Sequence, residues 1–289
     1  MRIFVAVAES GSFVAGAKAM GLTRSAAGKA LARLENHLGT RLVNRTTRRL
    51  SLTAHGHEFY HRCLQIIEDL QDAEASVLQH RPRPRGILRL TASEGYGKAK
   101  IIPYLREFLE AAPDLAIEMS FSDRIVDLVE EGFDLAIRVG AASAGAQYVT
   151  QVIDRACPCF CASPDYLERR GRPDSLVDLE RHQRLIYGLG TAATTWSCAD
   201  RQGRSVHIDG KTYTRFDSGD GIRVAAIAGL GIGLLPSFMV ERDLHEGTLV
   251  EVLPEERAAS IAVHAIYPSR RHLSIRVRSF IDGLRRYLG

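Results

Sequence analysis

Arg24, Ser25, Lys29 and Arg33 stand at spacings that put them on one side of a helix, and each can donate hydrogen bonds to phosphates or base edges. The other side of that segment, Ala27, Ala30, Leu31 and Leu34, is apolar. Thr23 precedes it and can cap it with its hydroxyl. A second set of arginines, Arg41, Arg45, Arg48 and Arg49, lies among Leu42, Val43, Leu50 and Leu52. No acidic residue falls between Arg41 and Thr53, whereas an ordinary solvated face mixes its signs. Leucines that hold a hairpin down, with arginines at its tip, suit a phosphate backbone.

Further along, polar residues sit where strands end and helices begin. Ser93 closes a strand ahead of Glu94, so its hydroxyl and the amides after it can hold an anion, or simply cap a helix. Asp217, Ser218 and Asp220 open another helix in the same manner. Ser122 and Arg138 close two more strands; an arginine there suits a bidentate carboxylate, or equally pairs with Asp123 or Asp134. Leu235 and Pro236 suit an apolar wall. Cys157, Cys159 and Cys161 alternate, so on a strand they share a face. Three thiols there could take a soft metal or an oxidant, but three small residues in a sheet core is the simpler expectation. No metal site and no cofactor is expected. Gly229, Gly231 and Gly233 follow a helix and precede a strand, the reverse of a dinucleotide fingerprint.

These groups need elements to position them. Met1 to Ser10 predicts a helix with Phe4, Val5 and Val7 inward, and Ser12 caps the next from Phe13. Ala15, Ala19 and Met20 read as that helix's apolar face, Gly21 as its stop and Leu22 as the plug of a tight turn. A helix, a glycine turn and a second helix with a donor-rich face make a helix-turn-helix; an ordinary helical hairpin shares the small residues and the turn. Ala54 to about His80 predicts one long helix with a persistent apolar stripe, the kind that pairs with a copy of itself. Arg81 to Gly86 then forms a stiff hinge.

From Gly86 strands and helices alternate. Strands are expected at Gly86–Ala92, Leu115–Phe121, Phe133–Val139, Ile153–Ala162, Leu185–Tyr187, Ile232–Leu235 and Ser260–Tyr267, with one or two more across Val206–Phe216. Helices are expected at Ile101–Ala111, Asp127–Glu131, Gly221–Ala228 and Leu273–Leu288. Apolar strands separated by helices argue for parallel crossovers.

The stretch from Phe4 to Gly56, with its fixed spacing, resembles the winged helix-turn-helix of LysR-type transcriptional regulators. DLAIRVG, CASPDYL, AAIAGLGIGLLPSF and YPSRRHLSIRVRSFIDGL extend the resemblance through the rest of the chain. It implies an α/β multidomain chain: a DNA-binding domain at 1–53, a linker and dimerisation helix with hinge at 54–85, and an effector domain at 86–289. By the same resemblance that domain is expected to fold like a type 2 periplasmic binding protein, with lobe 1 at 86–162 and 267–289 and lobe 2 at 163–266. In the family the first helix has several residues before the position of Met1, so this chain is expected to start inside it. The resemblance implies a homodimer or homotetramer on an imperfect inverted repeat of double-stranded DNA, a small-molecule effector in the cleft and contact with RNA polymerase. Asp217 stands where the family often has asparagine, which disfavours an anionic effector unless the carboxylate is paired. Gly28 replaces a common hydroxyl residue and with it one phosphate contact.

The 289 residues, five cysteines and net charge of +4 fit a globular protein without a disulfide framework. No membrane span or secretory signal is evident, so a cytoplasmic protein is expected. The alternative is an enzyme or solute-binding protein whose N-terminal part only assembles it. It needs a catalytic constellation or an export signal; no G-x-S-x-G, H-E-x-x-H or Walker loop is present, and the ten histidines are scattered. The chain is therefore not expected to be an enzyme.

Overall fold

The computed structural model describes residues 1–45, 50–77, 84–140, 145–190, 194–199, 204–210, 213–258, 260–269 and 273–289. The chain forms two compact units, Met1–Arg83 and Pro84–Gly289.

In the first unit, α1 (Arg2–Ser10), α2 (Phe13–Ala19) and α3 (Arg24–Leu38) precede a hairpin of β1 (Val43–Arg45) and β2 (Leu50–Leu52), and α4 (Ala54–Val77) follows. Phe4, Val5, Leu31, Leu42, Val43 and Cys63 form the core. The Ser12 hydroxyl caps α2 through the amides of Val14 and Ala15. The expected inner face of α2 is corrected: Gly16 and Ala17 are buried, while Ala15, Ala19, Met20 and Leu22 are exposed. A side-chain carbon on Gly16 would stand 2.7 Å from the Val7 Cα, so α2 lies backbone-to-backbone on α1 and turns its larger residues outward. Gly21 does end the turn in the left-handed conformation, at φ 65°.

The second unit holds two five-stranded sheets. In the first the strand order is β4 (Leu115–Phe121), β3 (Gly86–Ala92), β5 (Leu135–Val139), β15 (Ile261–Pro268), β6 (Tyr148–Ala156). In the second it is β11 (Tyr213–Phe216), β8 (Arg184–Tyr187), β12 (Ile232–Pro236), β7 (Pro158–Ala162), β13 (Val250–Val252). A small sheet of β10 (Ser205–Ile208), β9 (Trp196–Ala199) and β14 (Arg257–Ala258) adjoins the second. The expected crossovers hold for β3 with β4 and β5, and for β8 with β11 and β12; these pairs are parallel. Strands β6, β7, β13 and β15 pair antiparallel.

Several expectations change. The single strand read across Ile153–Ala162 is two strands in different sheets, broken at Cys157 before Pro158. Proline has no amide to continue a ladder. The chain therefore passes to the second sheet at Cys157, not Ser163, and is back in the first by Ile261, not Tyr267. Asp127–Glu131 is a single turn, not a helix, because the Asp127 carboxylate takes the amides of Val129 and Glu130. Ser93 leads directly into α5 (Glu94–Tyr96), a π turn at Gly97–Ile101 and α6 (Ile102–Ala111). Helices α7 (Pro164–Arg170) and α9 (Ser237–Glu246) were not expected; α8 (Gly219–Ile227) and α10 (Ile275–Leu288) were.

The core of the first lobe joins β3 to α6 and α10 through Leu88, Leu90, Tyr104, Phe108, Phe280 and Leu284. Arg276 of α10 and Asp134, both about nine-tenths buried, pair at 3.1 Å and fasten the last helix to this sheet. Strand β7 serves two clusters: Phe160 and Ala162 face one, Cys161 and the half-buried Cys159 the other. Burial pushes the Cys159 thiol up to about 11 and the Cys161 thiol higher still, which suppresses the thiolate that metal binding or oxidation requires. These two cysteines are core residues; Cys157 lies off the strand and is exposed.

Candidate functional site

Helix α3 divides as its sequence predicts. Ala27 and Leu31 are buried, and Arg24, Ser25, Lys29 and Arg33 are exposed. The Thr23 hydroxyl accepts from the Ala26 amide at 3.2 Å, fixing the start of the helix where Arg24 and Ser25 project. Glu35, on the same helix, accepts from the amides of Leu42 (2.9 Å) and Val43 (3.1 Å), so the hairpin is tied to α3. Arg45 ends β1; Arg48 and Arg49 lie outside the described residues.

In the second unit the register aligns the C-terminal ends of β3, β4 and β5, with Ala92 opposite Phe121 and Ile137. Ser93, Ser122 and Arg138 therefore come to one end of the first sheet. Tyr187, Asp217 and Pro236 occupy the corresponding end of the second, since Phe216 pairs with Tyr187. Between the two ends lies a cavity of about 710 Å³, roomy enough for a metabolite-sized ligand.

Ser93, Arg138, Leu235 and Pro236 line it as expected. Glu94, Ser122, Asp217, Ser218 and Asp220 do not. Glu94 turns to Lys98 at 2.7 Å. The Ser122 hydroxyl accepts from the Arg124 amide. Ser218 caps α8 through the Gly221 amide, and Asp220 pairs with Arg223, which also holds the buried Asp243. Asp217 lies close enough to raise the Tyr187 hydroxyl, after burial and Asp123. Of the two readings of Arg138, the pairing with Asp123 or Asp134 is not made: its guanidinium donates to the Thr91 hydroxyl (3.0 Å) and to the carbonyls of Ile137 and Arg124. Asp134 is held by Arg276 instead. Burial lowers the Arg138 pKa, opposed by the nearby Asp123.

Sequence reasoning missed Tyr96, Asp123, Tyr187, Phe238 and Met239, all in the lining. Tyr96 donates to Asp154 at 2.9 Å and meets Phe238 edge-on, with ring centroids 5.3 Å apart. Met239 fills the seam between Gly95 and Gly219: a side-chain carbon on Gly95 would lie 2.7 Å from its sulfur. The glycine at 95 was the available signal, but its partner stands far away in sequence.

A winged helix-turn-helix joined to a two-lobed α/β unit with a cleft defines a class, the DNA-binding regulators that carry a ligand domain. Residues 1–57 match the bacterial regulatory helix-turn-helix protein, lysR family, and residues 81–289 the LysR substrate binding domain. The chain is 37% identical over 276 residues to an uncharacterised HTH-type transcriptional regulator of Haemophilus influenzae, covering 95% of each. It is 35% identical to the transcriptional repressor PA14_22550 of Pseudomonas aeruginosa, covering 98% of this chain and 89% of that one. The solved structure of CrgA, a LysR-type regulator of Neisseria meningitidis, superposes with a TM-score of 0.62 at 30% identity, covering 99% of this chain and 97% of the other. The chain belongs to the LysR-type transcriptional regulators, and it is a DNA-binding regulator of transcription with a substrate-binding domain. These relatives are named as regulators rather than enzymes. Among the described residues no helix is long and apolar enough to cross a membrane.

Proposed function

We propose that this chain binds an inverted-repeat operator as a homodimer or homotetramer and that a small molecule in the 710 Å³ cavity adjusts that binding. The observation that carries the proposal is α3: one helix with its apolar side buried and four donor side chains exposed. Arg24 and Ser25 read base edges in the major groove. Lys29 and Arg33 rest on phosphates, with Thr23 fixing the helix start. Arg45, Arg48 and Arg49 of the hairpin grip the backbone.

Helix α4 supplies the contact between copies, since Ile66 and Leu70, one turn apart, are about half exposed. A ligand between the lobes changes their relation and thereby the spacing of paired DNA-binding units; that in turn alters contact with RNA polymerase. Catalysis has no part in this scheme, and the protein acts in the cytoplasm.

The test is footprinting on the DNA just upstream of the protein's own gene, with competitor DNA present. Two protected half-sites about one or two helical turns apart support the proposal. Binding that random DNA removes completely contradicts it.

A further inference from the structure

The two helix starts that face the cleft look, from sequence, like receptors for an anion. Both are already supplied by the chain. The Glu94 amide at the start of α5 donates to the Asp123 carboxylate at 3.3 Å, and the Gly221 amide in α8 donates to the Ser218 hydroxyl at 3.2 Å. Among the described residues three charged side chains line the cavity: Arg138, Asp123 and Asp127. Asp127 is turned to its own loop, where one carboxylate oxygen, Oδ1, accepts from Tyr148 (2.8 Å), Val129 (2.9 Å) and Glu130 (3.0 Å). Arg138 and Asp123 are different. They share the polar end of the cavity with the hydroxyls of Ser93 and Tyr187, yet form no ion pair with each other among the described residues; their hydrogen bonds go to neutral groups.

A guanidinium and a carboxylate that face one cavity without closing on each other are poorly matched to a ligand of single charge. A simple carboxylate satisfies Arg138 but meets Asp123 and Asp127; a simple amine meets Arg138. Much of the remaining lining is apolar, with Ile222, Leu235, Phe238 and Met239 on the second lobe and Val126 and Leu128 on the first. We propose that the cavity takes a zwitterion with an apolar body, an α-amino acid with a hydrophobic side chain or a close derivative, its carboxylate on Arg138 and its ammonium on Asp123. This rests on the reading of the cavity as the effector site. The apolar body lies against the second lobe, so the ligand bridges both lobes and links the head group of one to the wall of the other.

The experiment is calorimetric titration of the full chain with three matched series: phenylalanine, leucine and methionine; their deaminated acids, such as hydrocinnamate and isocaproate; and their decarboxylated amines, such as phenethylamine and isoamylamine. At least one amino acid is expected to bind about tenfold or more tighter than either single-charge analogue, the cost of leaving one half-buried charged group unmatched. Asp123→Asn is expected to narrow the gap to the deaminated acid, and Arg138→Gln the gap to the amine. The proposal is overturned if an acid or an amine binds the unaltered protein as tightly as its parent amino acid, or if none of the series binds. The two failures separate. An acid that binds the natural chain but not Val126→Trp, which fills the cavity, keeps the effector site and discards the zwitterion. A ligand whose binding ignores both Val126→Trp and Arg138→Gln removes the effector site itself.

Discussion

The two proposed sites, the outer face of α3 and the cleft between the lobes, are built in opposite ways. On α3 the donor side chains are exposed along one continuous segment, and a single helical period separates Ala27 and Leu31 from Arg24, Ser25, Lys29 and Arg33. In the cleft the lining comes from segments as distant as Ser93, Asp123, Tyr187 and Met239, and no period connects them. A surface site of local origin depends on one helix being folded and docked. An interior site assembled from two lobes depends on close approaches between chains of residues that have no sequence relation.

The largest expected effect sharpens the first half of this comparison. Leu31→Ala removes a fully buried side chain from the small core beneath α3 and is expected to cost about 2–5 kcal/mol of unfolding free energy, measured by denaturant titration. DNA binding falls with it, although Leu31 faces away from the donor side. A cost under about 1 kcal/mol would mean that α3 does not rely on this core.

The second prediction concerns the thiols. Because burial raises Cys159 from its ordinary 9.0 to about 11, it stays a neutral thiol through pH 8, with about a hundredfold less thiolate than an exposed cysteine. Alkylation of the folded protein should spare Cys159 and Cys161 and take Cys157, and the Cys159 rate should climb as pH rises toward 11. Fast labelling of Cys159 at neutral pH contradicts its place in the second lobe's core.

Glycines set the two regions against each other directly. Gly16→Ala places a carbon 2.7 Å from the Val7 backbone, which cannot step aside, and is expected to cost about 1–3 kcal/mol in thermal unfolding. Gly95→Ala places one equally near Met239, but the thioether is flexible and yields. Its unfolding cost is expected to stay within about 1 kcal/mol, while ligand affinity changes because Met239 is displaced into the cavity. Equal unfolding costs at the two glycines would break the comparison.

The same contrast explains what could be read from the sequence. The capping hydroxyls of Ser12 and Thr23, the turn at Gly21 and the buried face of α3 are local, and all are visible in the residues. The inner face of α2 was misread because the contact that selects Gly16 and Ala17 is made by the backbone of α1, not by a pattern within α2. Strand ends at Ala92, Phe121 and Val139 were legible to within the strand, so Ser93 and Arg138 were found. Partners were not legible. Arg138 binds Thr91 rather than an aspartate, and Asp134 is taken by Arg276, which lies in the last helix. The division between lobes escaped as well, since Ile153 to Ala162, with Asp154 and Arg155 near its start, reads as one extended stretch and only the ladder shows that Pro158 starts a strand of another sheet.

The central claim is that the outer face of α3 reads bases while the hairpin arginines hold the backbone. Its most direct measurement is the ratio of operator affinity to random-DNA affinity, taken at two salt concentrations for the natural chain, Arg24→Ala and Arg48→Ala. Arg24→Ala is expected to lower the ratio by about 1–3 kcal/mol and to leave random-DNA binding nearly unchanged. Arg48→Ala is expected to weaken both alike and to reduce the salt dependence by about one counterion. If Arg24→Ala lowers both affinities equally and the ratio stands, α3 is not the element that reads the sequence.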